Sequence, residues 1–200
     1  YLFDGITSDG TYSGDASFRD VIYTSDSCFL AVGKVAFNPL AVKTDINGDT
    51  IWTWRLNELN NTIRLNAVVE TSQGNYIAAG QAWIPIFNKS SYALKRGILV
   101  YFDKNGNLMD FIEWEDIDYT SFNDIAIDFN NYIYICGEYQ RIPPEVPDIE
   151  TFGLFVKIDT AGNTVFYKKI IDEWQITSQT ISITKNNKIV IGSHFTRHPS

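Results

Sequence analysis

No apolar run in this 200-residue sequence approaches the roughly 20 residues needed to span a bilayer. No segment sustains the i, i+3, i+4, i+7 spacing of an amphipathic helix, so helix is expected to be scarce. Lys and Arg number only 16 and are scattered through a chain of net charge −8, which excludes the clustered basic footprint of a nucleic-acid binder. There are two cysteines, Cys28 and Cys136, in unlike sequence surroundings, and they read as small buried hydrophobes. So few cysteines suit a reducing compartment and equally a large surface protein that needs no disulfides. No serine or cysteine has a histidine and an acid that the sequence pattern would gather into a triad. Neither a signal-like apolar segment nor an initiator Met precedes Tyr1, which reads as a removed leader or an excised piece.

What is abundant is strand-forming material. Hydrophobic residues make up 44% and aromatics 14%, with 11 Tyr and 13 Phe set among polar turn residues. The order within this material is a repeat. "VKTDINGDTIW" at Val42 returns as "VYFDKNGNLMDF" at Val100 and as "VKIDTAGNTVFY" at Val156. Apolar runs end at Gly33, Gly80, Gly137 and Gly192, which are 47, 57 and 55 residues apart. The turn glycines Gly48, Gly106 and Gly162 are 58 and 56 apart, so two sets of landmarks agree on a unit near 55 residues.

Each unit reads as four short antiparallel strands: a first strand such as "FRDVIYT", a polar turn, a strand ending at the glycine, a variable loop, then the quoted hairpin. Asp45, Asp103 and Asp159 stand where a short carboxylate bonds the backbone two residues on, and Gly48, Gly106 and Gly162 supply positive φ three positions later. Four-stranded sheets in tandem predict an all-β propeller with about 3.5 blades present, at 18–64, 65–119, 120–174 and a partial 175–200. Residues 1–17 match the outer strand and crossover of a closing blade, making 1–200 one domain. The last unit lacks more strands than the start of the chain supplies, which favours the front portion of a larger ring over a closed four-bladed one.

The pattern T-S-D-…-G … K-x-D-x-x-G-x-x-x-W, from Phe18 to about Gly192, resembles the secreted β-propeller repeats of Bacteroidetes-type bacteria, often carried by type IX secretion substrates. The resemblance implies a bacterial extracellular or cell-surface protein. It is specific for fold and says little of function.

Blade geometry nominates the candidate sites. The connections Gln81–Arg96 and Glu138–Phe152 are long, and they lie on the same rim as the crossovers between blades. On them, Trp83, Phe87, Tyr92 and Tyr139 offer flat surfaces for sugars or a protein, and Arg96 and Arg141 suit a carboxylate. Asp20, Asn66, Asn123, Asp124 and Gln179, with Arg19 beside Asp20, open the innermost strands and are expected to line a central channel. Trp52, Trp54, Trp114 and Trp174 read as packing between blades.

"DINGD" fails as a calcium loop, because an EF-hand wants glycine sixth and glutamate twelfth, whereas Gly48 is fourth and Leu56 twelfth. "TSDGTY" lacks the spacing of a sialidase aspartate box, and His194 and His198 fall where a strand leaves into a tail. No cofactor and no metal are implied. The reading is a non-catalytic module that binds a glycan or a protein partner, either by itself or as a subunit of a surface complex. The alternative is a propeller-type carbohydrate-active hydrolase or lyase whose catalytic residues lie outside these blades. Converging carboxylates at the channel mouth would mark the enzyme, and an aromatic rim the binding module.

Overall fold

A computed structural model describes residues 16–56, 62–85, 93–114, 119–141, 150–171 and 175–196, and folds them as antiparallel β-sheet without helix. The first sheet joins β1 (Ala16–Tyr23), β2 (Phe29–Val35), β3 (Asn38–Thr44) and β4 (Thr50–Arg55) in chain order. The second joins β5 (Thr62–Glu70), β6 (Tyr76–Pro85), β7 (Ala93–Phe102) and β8 (Leu108–Glu113). The third joins β9 (Thr120–Ile127), β10 (Ile133–Arg141), β11 (Glu150–Ile158) and β12 (Thr164–Ile170), and β13 (Gln175–Ile183) pairs with β14 (Ile189–Thr196).

The sheets stack in chain order because their central strands are apolar on both faces. On β6, Tyr76 and Ala78 join the cluster shared with Leu30, Val32 and Ala41 of the first sheet. Their neighbours Ile77 and Ala79 point the other way, into the cluster with Ile133, Ile135 and Val156 of the third. The same alternation on β10 sends Tyr134 and Cys136 toward Ile181 of the fourth pair. Trp52 and Trp54 of β4 lie against Phe102 of the second sheet, with ring centroids 6.3 and 4.8 Å away. Trp114 is buried against Phe122, while Trp174 lies outside the described residues. Both cysteines are free and buried, and burial pushes the Cys136 thiol up to about 12.

A β-bulge recurs at one place in every inner hairpin. Arg19, Asn66, Asn123 and Gln179 are each left without a cross-strand partner. An added Cβ on Gly33, Gly80 or Gly137 would sit 2.0, 2.0 or 1.9 Å from the carbonyl oxygen of Ser17, Arg64 or Ser121. Close approach, and not backbone conformation, therefore demands these three glycines. In the fourth unit the register differs by one from the sequence landmark, because Ser193, not Gly192, faces the residue before the bulge, Ser178.

The outer hairpins turn at Asp45, Asp103 and Asp159. Each carboxylate accepts backbone N–H groups two and four residues on, at 2.8–3.0 Å. Gly48, Gly106 and Gly162 adopt φ of 91°, 82° and 85°. The inner hairpins repeat this turn with other side chains: Thr24, Thr71, Asp128 and Thr184 lead, and Ser27, Gly74, Asn131 and Asn187 take the positive φ.

These bonds hold the three outer-turn carboxylates below the usual 3.8: chiefly the Asn107 and Asn163 side chains for Asp103 and Asp159, and the Asp49 backbone for Asp45. A depressed folded value means the contribution to stability is complete above 3.8 and lost as pH falls through the folded values. The thermal midpoint should therefore drop as pH is lowered below about 4. Asp103→Ala should lower the midpoint at pH 7 and reduce the acid-induced drop, as read by circular dichroism melts at about pH 7 and about pH 2.5. An unchanged acid drop in the variant would contradict this assignment.

Two connections are shorter than the spacing suggests. Strand pairing of β6 with β7 runs out to Pro85 opposite Ala93, and that of β10 with β11 to Arg141 opposite Glu150. Trp83, Arg96, Tyr139 and Arg141 thus stand on strands and not on loops.

Candidate functional site

At the end of the sheets away from the Asp turns, the two-residue β2–β3 turn meets the start of β5 through an Ile63 N–H bond to the Phe37 carbonyl, 2.9 Å. Along β5, Ile63 and Leu65 are buried in the core, and Thr62, Arg64 and Asn66 take the other face. Cross-strand pairing sets Thr62 opposite Trp83 and Arg64 opposite Gln81. Lys34 arrives from β2 of the first sheet. Together Lys34, Thr62, Arg64 and Trp83 line a cavity of about 340 Å³.

The Arg64 guanidinium is held from two sides. Its carbon stands 5.3 Å from the Trp83 ring centroid, and its Nε donates to Asn66 Oδ1 at 2.8 Å. Asn66 in turn donates to the Phe122 carbonyl of the third sheet at 2.7 Å, fixing the bulge that carries it. Burial, followed by the nearby Arg19 charge, lowers the Arg64 pKa, and Glu138 opposes the shift. Thr62 adds a hydroxyl and Lys34 an ammonium. The pocket offers a flat aromatic, fixed N–H donors and positive charge.

The residues singled out in the sequence do not converge on this cavity. Trp83 is in it, and Phe87 and Tyr92 lie outside the described residues. Arg96 pairs with Glu113 at 3.1 Å, and Arg141 with Glu150 at 2.8 Å. Tyr139 is 6% exposed, stacked on Phe152 and capped by Lys169 Nζ 3.9 Å from its ring centroid, so it belongs to the core and presents no rim surface.

The polar residues at the starts of the first strands bond from one unit to the next. Asp20 accepts the Val68 N–H and Asp124 the Ile181 N–H, at 2.9 and 2.8 Å, and Asn123 donates to the Ser178 carbonyl at 3.0 Å. Gln179 is the exposed bulge residue of the last pair. Arg64, Lys34 and Thr62 escaped the sequence reading. The available signal was Arg64 alternating with buried Ile63 and Leu65 just before the bulge.

A second cavity, about 380 Å³, opens at the turn end between the second and third sheets, beside Tyr101, Met109, Asn131 and Thr160. Trp52 is paired with Lys43 in the first sheet, and the equivalent partner of Tyr101 is the small Asp110. Between the first and second sheets the Trp52 ring fills the space over Gly106, whereas between the second and third Ile112 and the Tyr101 hydroxyl stand over Gly162.

No protein-family model matches the chain, and no curated protein matches its sequence. Among solved structures, the crystal structure of a protein of unknown function from Bacteroides caccae is similar at a TM-score of 0.38 and 11% identity. The match covers 88% of this chain and 70% of that one. Among the described residues no helix is long and apolar enough to cross a membrane.

Proposed function

We propose that the stacked sheets are successive blades of a β-propeller, and that the chain is a non-catalytic binding module of the bacterial exterior or cell surface which engages a glycan at its crossover rim. The observation that carries this reading is the Trp83–Arg64 pocket. A saccharide ring presents an apolar face to an aromatic and a hydroxyl rim to fixed donors, and this cavity supplies both. A hydrolase would want converging carboxylates at the mouth, whereas the groups lining this cavity are cationic, hydroxylic and aromatic. Chain-order stacking and the inner-strand bonds from Asp20, Asn66, Asn123 and Asp124 to the next unit support the propeller reading. In this reading, repeat units too small to stand alone supply a rigid platform for the rim.

The test is binding of the intact chain to an array of bacterial and plant polysaccharides, followed by titration of the best ligand. Trp83→Ala should weaken that binding about tenfold or more, with the melting profile retained. Release of shortened or unsaturated products during incubation would overturn the non-catalytic assignment.

A further inference from the structure

Building on the saccharide-binding reading, we infer that the rim pocket takes an acidic sugar, a uronate residue of a polysaccharide, with Arg64 and Lys34 receiving its carboxylate beside Trp83. The chain carries a net −8 and repels polyanions at long range, so an acidic ligand is held only where cations gather locally. They gather here. Lys34 and Arg64 line one cavity, and Arg19 is near enough to act on Arg64.

These cations also differ from others at the same end of the sheets. Lys95 is matched by Glu138 at 2.9 Å, Arg96 by Glu113 and Arg141 by Glu150. Among the described residues, neither Lys34 nor Arg64 has a carboxylate within ion-pair distance. A half-buried guanidinium beside a like charge, with Glu138 acting on it but ion-paired to Lys95, carries a cost to the fold that a bound carboxylate offsets. The Arg64 Nε is occupied by Asn66, which orients the planar group and leaves its terminal amino groups for a ligand.

Size and shape favour a sugar over a protein carboxylate. A cavity of about 340 Å³ lies at the small end of the ~300–1,000 Å³ typical of small-molecule sites. A stable protein partner would need a contact of about 1,000 Å² or more, and the neighbouring rim positions on β7, β10 and β11 hold side chains already ion-paired within the chain. Thr62, opposite Trp83, adds a hydroxyl suited to a ring substituent.

The experiment is calorimetric titration of the intact chain with trimers of galacturonate, glucuronate, mannuronate and guluronate, with the corresponding neutral trimers, and with an acidic hexapeptide. At least one uronate trimer should bind about tenfold or more tighter than its neutral counterpart, and added salt should weaken it. Arg64→Gln should weaken uronate binding about tenfold or more and weaken neutral binding less, so that the preference for the uronate is lost. Lys34→Gln should act in the same direction, and it serves as the second variant if Arg64→Gln fails to fold. Equal binding of uronate and neutral trimers, still lost in Trp83→Ala, would overturn the acidic ligand and keep the saccharide module. Arg64-dependent binding of the peptide alone would overturn both in favour of a protein partner. Binding of no probe would overturn the pocket as a ligand site.

Discussion

Gly137→Ala is expected to destabilise the fold by about 3 kcal/mol or more, an unusually large effect for the addition of one methyl group. The new Cβ would lie 1.9 Å from the Ser121 carbonyl oxygen, a backbone atom that cannot swing aside as a side-chain tip would. That carbonyl lies beside the bulge at Asn123, where β9 leaves its regular pairing with β10. Relief would require undoing the bulge, which would also displace Asn123 from the Ser178 carbonyl and Asp124 from the Ile181 N–H. The control is Gly48→Ala. Gly48 has φ +91° but open space around its Cβ position, so the cost there is conformational only, about 1–2 kcal/mol. In thermal melts the first variant should lose about 6–12 °C, clearly more than the second. Equal, mild losses would show that the bulge adjusts freely and that the glycine is not sterically required.

The repeat made the sheets legible. Period-2 patterning and two sets of glycines announced short antiparallel strands, and these signals are local, readable within a dozen residues. The landmark glycines were legible as positions without their cause, since a carbonyl arriving from the partner strand leaves no local mark. The same limit explains Gly192, which continues the spacing although Ser193 takes the equivalent place. At the rim, Trp83 stood out as an aromatic beside a long connection. Lys34 and Arg64 did not, because they come from different sheets and meet only through the stacking of one unit on the next. Tyr139 shows the converse. An aromatic that looks available on a presumed loop is buried when the strand runs on and Phe152 of the paired strand stacks against it. Contacts between units depend on packing angle and side-chain volume, which a repeat pattern leaves open.

Phe122→Ala should cost about 3–5 kcal/mol, at the upper end for a truncated core aromatic. Phe122 is 1% exposed and joins the second and third sheets. Its ring atoms come within 2.8–2.9 Å of where a Cβ on Gly97 would stand, and its centroid is 5.6 Å from that of Trp114. The surroundings cannot collapse into the vacated space. Gly97 has no side chain to move in, and its backbone is fixed by bonds to the Thr120 hydroxyl and the Trp114 N–H, at 2.9 and 2.8 Å. A retained cavity adds to the lost transfer energy. The position also tests how the units depend on one another, since the stability of a tandem array is close to a sum of unit and nearest-neighbour terms. Weakening this one interface should uncouple the first two sheets from the third sheet and the β13–β14 pair. In native-state hydrogen exchange, amides of β10 and β11 should lose protection by about two to three orders of magnitude, while those of β2 and β3 lose much less. A uniform loss across all four strands would mean that the chain unfolds as one indivisible unit, and would contradict the nearest-neighbour account.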